Sequence, residues 1–298
     1  MATRIALATC RNLPEWERDD EALHEAFVKR GVEIARPAWD DMNVRWGEFN
    51  CVLIRTTWDY TTRVNAYVAW AERVEHESRL INPSAVVKWN VRKTYLKELA
   101  AQGVAIAETV WLEQSEKVDV AEVMERKGWE RGFLKPVVGA SAKGTMRFRT
   151  NEKELAAAQL HVEELLAKDG AMLQCYVPTV EDVGEFSAIF IDGEMTHSVR
   201  KIPMQGDYRV QNDHGGKDEP AELSAEEQAT AKRIVKLVSE KFDGGVVYAR
   251  VDFHREEYTG RMLLTELELV EPSLFFRHGK RAAERLAESV VEKALGIR

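Results

Sequence analysis

Short apolar runs of strand length alternating with amphipathic helices near the start of the chain restrict its fold more than any other feature. Arg4 to Thr9 is an apolar run, and Asp19 to Arg30 carries Leu23, Ala26 and Phe27 at helical spacing until Gly31 stops the helix. Val32 to Ala35 and Cys51 to Arg55 are further strands. Val64 to Glu77 is a helix, and Arg79 to Asn82 a short strand ended by Pro83. Strands that alternate with helices predict an open, mostly parallel α/β sheet over residues 1–85.

The pattern then changes. Trp89 to Ala101 reads as one helix carrying Lys93 and Lys97. Phe133 to Val138 is a strand, Gly139 to Gly144 a small-residue loop leading to another strand, Glu152 to Lys168 a long helix and Ala171 to Val177 a strand. This order predicts a small α+β lobe over residues 86–177. In residues 178–298, the strands Phe186 to Ile191 and Met195 to Lys201 flank Asp192-Gly193, a strong hairpin signal. Ser224, followed three residues later by Glu227, caps a helix reaching Phe242. Val246 to Phe253 and Met262 to Val270 are strands, and Lys280 to Leu295 is a closing helix. Pro203 to Pro220 is polar and glycine-containing, a long loop of the kind that carries function.

Composition removes several classes. With 298 residues, 45% apolar and 31% charged, the chain is neither disordered nor fibrous. A net charge of −8 repels phosphate backbones, so nucleic acid is not the expected partner. Cys10, Cys51 and Cys175 lack metal spacing and are odd in number, which predicts free thiols in a reducing cytoplasm. The run up to Cys10 is too short for a signal peptide, and no stretch approaches the roughly 18 apolar residues of a membrane span.

Two segments carry the strongest chemical signal. Residues two apart in a strand share a face, so Glu266 and Glu268 in Leu-Thr-Glu-Leu-Glu-Leu point one way and Leu267 and Leu269 the other. If this strand pairs with Tyr248-Ala-Arg-Val-Asp252-Phe, Asp252 joins them. Three converging carboxylates need a cation, and their oxygens suit Mg²⁺ bridging nucleotide phosphates. A half-exposed sheet with acids facing water is the bland alternative. Asp252 tilts the choice, because it interrupts an apolar run where an unpaired carboxylate is costly.

Lys135 in Phe-Leu-Lys-Pro is likewise a cation in a buried strand. The loop after it, with Gly139, Ser141, Lys143 and Gly144, has small residues whose backbone N–H groups can approach phosphate oxygens, although no Walker A pattern is present. Gln174, Tyr176 and Val177, then Glu181 and Asp182, lead from a strand into a polar turn. Such a segment reads an adenine edge and holds ribose hydroxyls, or is simply an edge strand and loop. Arg200 and Lys201 end a strand, followed by Arg209, Gln211 and Gly215-Gly216; an arginine there offers a forked clamp for carboxylate or phosphate.

In this order the segments resemble the ATP-grasp superfamily over nearly the whole chain. The loop from Gly206 to Gly216 is similar to that of bacterial glutathione synthetase and of the ligases that add glutamate to a ribosomal protein, with Gln211 in place of their Asn. Arg55-Thr-Thr-Trp58-Asp59-Tyr60, Val87 to Leu96, Ser141-Ala-Lys143 and Glu266 to Leu274 resemble the O-ureido-serine cyclo-ligases of cycloserine biosynthesis.

The resemblance implies an ATP-grasp fold preceded by an N-terminal α/β unit. It implies that Lys93, Lys135 and the glycine loop hold ATP, that Gln174 to Val177 form the adenine hinge, and that Glu181 or Asp182 accepts from ribose or adenine. Asp252, Glu266 and Glu268 would hold two Mg²⁺ ions, Mn²⁺ being a substitute. Arg209, with Arg200 and Lys201, would neutralise the reacting phosphate. Arg55, Trp58, Asp59, Tyr60, Gln211 and Ser273 would meet the substrate. The implied activity is ATP-dependent C–N ligation through an acyl-phosphate, acting on small-molecule carboxylates and amines. A cyclo-ligase, a small-molecule kinase and a non-catalytic nucleotide-binding module are the alternatives. A homodimer is the default expectation for assembly.

Overall fold

The computed structural model describes residues 3–13 and 17–297, so Met1 and Ala2 of the N-terminal run lie outside the described residues. The first unit contains β1 (Arg4–Thr9), α1 (Glu21–Lys29), β2 (Glu33–Ala35), β3 (Cys51–Thr56), α2 (Val64–Glu77) and β4 (Leu80–Ile81). All four strands are parallel, in the order β2-β1-β3-β4. Strands buried on both faces read as continuous apolar runs. Ile5 and Leu7 accordingly pack with Leu23 and Phe27 of α1, while Ala6 and Ala8 pack with Tyr67, Trp70 and Val74 of α2.

Next come α3 (Ser84–Asn90) and α4 (Tyr95–Ala101), where the sequence pattern suggested one helix from Trp89 to Ala101. Tertiary hydrogen bonds cause the break. Asn90 donates to the Leu267 carbonyl at 2.8 Å and accepts from Leu269 N–H at 2.8 Å, and Lys93 N–H donates to the Val137 carbonyl at 2.7 Å. Lys93 thus lies in the interruption and not on a helix.

The second unit contains β5 (Thr109–Leu112), α5 (Val120–Lys127), β6 (Arg131–Pro136), β7 (Met146–Arg149), α6 (Glu152–Leu166) and β8 (Ala171–Cys175). Its strands are antiparallel, in the order β5-β8-β6-β7. Leu134, Phe148 and Leu173 pack beneath α5 and α6. Alternation along β6 then sends Phe133 and Lys135 to the opposite face.

The third unit contains α7 (Thr179–Asp182), β9 (Glu185–Ile191), β10 (Glu194–Ile202), β11 (Lys217–Pro220), α8 (Ala225–Ser239), β12 (Tyr248–Arg255), β13 (Met262–Glu268) and α9 (Lys280–Ala294). The antiparallel sheet runs β11-β10-β9-β12-β13. Asp192 and Gly193, at φ of 50° and 73°, form the hairpin turn between β9 and β10. Ser224 and Glu227 make a reciprocal capping box on α8.

One sheet face packs Phe186, Phe190, Val251 and Phe253 against Ile234 and Val235 of α8. The other face is divided. Ile189, Ile191 and Val199 meet α9, whereas Ser187, Glu185, Lys201, Arg250 and Asp252 form a charged strip. Although it is last in sequence, α9 packs on α1 and the first sheet through Leu286, Ala287 and Val290. Residue 178 onward is therefore not a separate packing unit. The end of the long polar loop is also a strand, β11.

Candidate active site

The charged strip of the third sheet faces Lys135 of the second across a cleft of about 360 Å³. Asp252 pairs directly with Glu266, and Arg250 with Glu268. Period-two alternation therefore places all four on one face. Lys93 lies 3.4 Å from Glu266 and donates to the Gly139 carbonyl at 2.7 Å. Lys135 lies 4.0 Å from Glu266 and donates to the Thr265 carbonyl at 3.4 Å. Burial lowers the Lys135 pKa, with Glu266 opposing and Lys93 adding to the shift.

Asp252 is 2% exposed and has no lone charge to neutralise. It accepts from Arg250 at 2.7 Å and from Ser187 at 2.5 Å, and lies 3.2 Å from Lys201. Arg250 also grips Glu268 and donates to the Ser273 carbonyl at 3.0 Å. Burial alone would lower the Arg250 pKa, but Asp252 and Glu268 raise it above its ordinary value. Burial pushes the Glu268 carboxyl up to about 7, with Arg250 opposing. Glu185 pairs with Lys201 and lies 3.3 Å from His254. Burial would raise its pKa, yet Lys201 and the neighbouring His254 ring hold it well below the usual carboxylate range.

The expected carboxylate triad is thus not a ready-made metal nest. Among the described residues no three acidic, histidine or cysteine side chains are grouped to enclose an ion. Asp252 and Glu268 turn to Arg250, and Glu266 to the lysines. The donor set still fits Mg²⁺, which keeps several waters and binds through one or two carboxylates plus substrate phosphates.

Tyr176, Val177, Gln174 and Phe133 line one end of the cleft, with Gly139, Ser141 and Lys143 of the loop above it. Ser141 and Ala142 adopt positive φ, 52° and 55°, as does Gly144, which itself is not on the wall. Glu181 is not on the wall either. It accepts from Tyr176 Oη at 2.6 Å and pairs with Arg147 at 2.8 Å. Asp182 is exposed on the outer side of α7.

At the other end lie Trp58, Tyr60, Glu271, Ser273 and Arg277. Trp58 Nε1 donates to the Glu271 carbonyl at 3.0 Å. Burial and the neighbouring Glu268 push the Glu271 carboxyl up to about 8, against a hydrogen bond from Tyr60. Arg209 and Gln211 reach the cleft from the polar loop, and Arg209 is clamped by Asp207 at 2.7 Å.

Three further expected site residues lie elsewhere. Arg200 points away from Lys201, as strand alternation requires, and pairs with Glu219 at 2.6 Å. Arg55 is buried under Asp20 at 2.7 Å and ties the first unit to the Pro272 carbonyl at 3.3 Å. Asp59 accepts from Trp39 Nε1 at 2.7 Å and pairs with Arg63. Conversely, Arg250, Glu185 and His254 were not singled out from the sequence. Arg250 and His254 each sit two residues from Asp252, so the same alternation would have placed them on its face.

Two family models match the chain. Residues 5–82 match the N-terminal domain of D-cycloserine synthetase DcsG, and residues 100–265 match the ATP-grasp domain of prokaryotic glutathione synthetase. The cycloserine biosynthesis protein DcsG of Streptomyces lavendulae is 30% identical over 282 residues, 92% of this chain and 93% of that protein. The glutathione synthetase of Agrobacterium fabrum is 24% identical over 68% of this chain and 58% of its own length. A crystal structure of D-cycloserine synthetase DcsG superposes with a TM-score of 0.88 at 27% identity, covering 98% of this chain and 99% of the other. The ATP complex of D-alanine–D-alanine ligase from Bacillus anthracis shares the fold, with a TM-score of 0.68 at 16% identity over 99% and 98% of the two chains. Lysines and carboxylates facing each other across one cleft, on a chain that matches these proteins, identify a member of the ATP-grasp family, an ATP-dependent ligase that forms C–N bonds.

Proposed function

We propose that the enzyme joins a carboxylate to an amine through an acyl-phosphate, on an amino-acid-like or small peptide substrate. The supporting observation is that Lys93 and Lys135 meet Glu266, with Asp252 and Arg250 on the adjacent strand. Triphosphate oxygens replace Glu266 as partners of the lysines. Adenine lies between Phe133, Tyr176 and Tyr208, against Gln174 and Val177. Asp252, Glu266 and Glu268 are the residues that would hold Mg²⁺, in two ions or one; Mg²⁺ supplies neutralisation of phosphate charge and alignment of its oxygens.

The substrate carboxylate oxygen attacks the γ-phosphorus and ADP leaves. Arg209, Arg250 and Lys201 stabilise the negative charge that develops there. The amine nitrogen then attacks the acyl carbon, loses a proton, and the carbon–oxygen bond to phosphate breaks with release of inorganic phosphate. The Gly139–Gly144 loop and Lys143 close over the phosphates and exclude water from the acyl-phosphate. Trp58, Tyr60, Gln211 and Ser273 line the substrate end. A phosphate-release screen of carboxylates crossed with amines tests this reading. Turnover that yields a stable phosphorylated product without any amine would identify a kinase instead.

The end-to-end likeness to DcsG favours a second reading, intramolecular ligation of one molecule carrying both groups. Phosphate release from a single ureido-bearing amino acid, with no added amine, distinguishes the two.

A further inference from the structure

The polar loop that carries Arg209 has few anchors of its own. Between β10 and β11 its regular structure is a single short 3₁₀ turn, Asn212–His214. Its main buried side chain is Val210, which packs with Tyr176 and Val180, and segments with little buried surface open at low free-energy cost. Besides Val210, a chain of polar contacts leads away from Arg209 to the base end of the cleft.

Arg147 stands directly opposite Phe133 on β7. It donates to the Gly206 carbonyl at 2.7 Å and pairs with Glu181 at 2.8 Å, and its guanidinium lies 5.3 Å from the Tyr208 ring centre. Charge-assisted hydrogen bonds are roughly twice as strong as neutral ones, and a cation over a ring adds a smaller attraction at an exposed site. Glu181 is fixed in turn by Tyr176 Oη at 2.6 Å. Tyr208 itself packs 5.4 Å from Phe133 and donates to the Thr145 carbonyl at 3.1 Å. One residue later, Arg209 is held by Asp207. Tyr176 and Phe133 line the cleft, and Arg147 does not.

We infer that Arg147 is a positioning residue: through Glu181 and Tyr176 on one side, and Gly206 and Tyr208 on the other, it makes placement of Arg209 depend on occupation of the base end of the cleft. This rests on the reading that the nucleotide base occupies that end. A base stacked on Phe133, Tyr176 and Tyr208 favours the loop arrangement in which Arg209 faces the reacting phosphate. The coupling is reciprocal, as any linkage between two sites must be.

The bond after Arg209 is a trypsin site, so the loop's order can be read without knowing the substrate. Full-length wild type, Arg147→Met, Arg147→Lys and Arg200→Met are titrated with Mg·AMP-PNP by calorimetry, then digested with trypsin with and without saturating nucleotide. In wild type, nucleotide slows cleavage after Arg209 about tenfold, since cleavage follows the open population. Arg147→Met binds nucleotide within about threefold of wild type but retains only about twofold protection. Arg147→Lys restores part of the protection, and Arg200→Met, on β10 and paired with Glu219 away from the cleft, behaves as wild type.

Failure of wild type to bind Mg·AMP-PNP would overturn the nucleotide reading and this inference with it. Normal binding with no protection in wild type, or equal protection in Arg147→Met, would overturn the inference alone. A uniform loss of melting temperature and of protection in both Arg147 variants would reduce Arg147 to a structural contact and equally refute it.

Discussion

Replacing Lys135 by Met separates what the fold needs from what the reaction needs. Lys135 is 5% exposed, its ion pair with Glu266 is long at 4.0 Å, and its hydrogen bond to Thr265 is 3.4 Å. Desolvating an ion costs several kcal/mol, and a pair at this distance recovers at most about 4 kcal/mol at an effective dielectric of 20. Lys93 also repels Lys135. Methionine has a similar stem and needs no counter-ion, while Glu266 keeps Lys93 at 3.4 Å.

Without nucleotide, Lys135→Met should therefore stabilise the fold by about 1–2 kcal/mol, the lower part of the roughly 1–4 kcal/mol gained when a buried ion pair is replaced by apolar groups, because Lys93 leaves Glu266 paired. At roughly 2–4 °C per kcal/mol, the melting temperature rises by a few degrees. The sign with pH follows from burial. The folded-state pKa of Lys135 lies below 10.5, so its cost is fully present below the folded value and disappears as pH rises towards 10.5. The variant's advantage should shrink over that window.

With Mg·AMP-PNP the order reverses. Losing a phosphate-binding cation that weakens affinity about 100-fold removes about 2.7 kcal/mol of ligand-induced stabilisation at a fixed, saturating concentration. Thermal unfolding with and without Mg·AMP-PNP measures both effects. A variant less stable than wild type without nucleotide would refute the energetic argument. An undiminished nucleotide shift would refute the phosphate role.

Asp252→Ala strands Arg250 and Lys201, each left with a single carboxylate, and should cost about 3 kcal/mol in urea unfolding; Asp252→Asn should cost less, and both should abolish ATP turnover. Arg209→Met should lower turnover about 100-fold with the KM for ATP within about threefold, whereas Arg200→Met, which faces away from the cleft, should leave both within about twofold. Gly184→Ala should cost at least about 2 kcal/mol in melting experiments: its φ is +89°, and an added Cβ would lie 2.4 Å from the Lys201 carbonyl oxygen, a backbone atom fixed by the β9–β10 ladder. An unchanged melting temperature would refute it.

The parts of this site that depend on strand alternation were legible in the sequence. Glu266 and Glu268 had to share a face, and Asp252 could join them only on a paired strand, the register β12 and β13 adopt. Arg250 follows from the same alternation, opposite Glu268. What sequence could not supply is tertiary.

Asn90 and Lys93 lie in a segment with no glycine or proline, so nothing local announces that the helix stops. It stops because the Asn90 amide pairs with the edge of β13 as another strand would. Arg55 and Glu181 looked like ligand contacts because they are charged and stand beside cleft segments. Their partners, Asp20 and Arg147, come from distant positions that no local pattern links to them. Strands β5 and β7 are short pieces whose partners define them, and periodicity is weak at that length.

The return of the last helix to α1 means that the modules of this enzyme do not follow its linear order. A fragment ending near residue 85 would keep Leu23 and Phe27 on β1 but would strip from α1 the cover that Leu286 and Val290 supply. Exchange of the N-terminal unit between relatives would then have to carry the final fifteen-residue helix with it, as one inherited pair. A chimera cut only at the obvious linker would inherit a mismatched seam, and clipping the C-terminus would loosen the opposite end of the polypeptide.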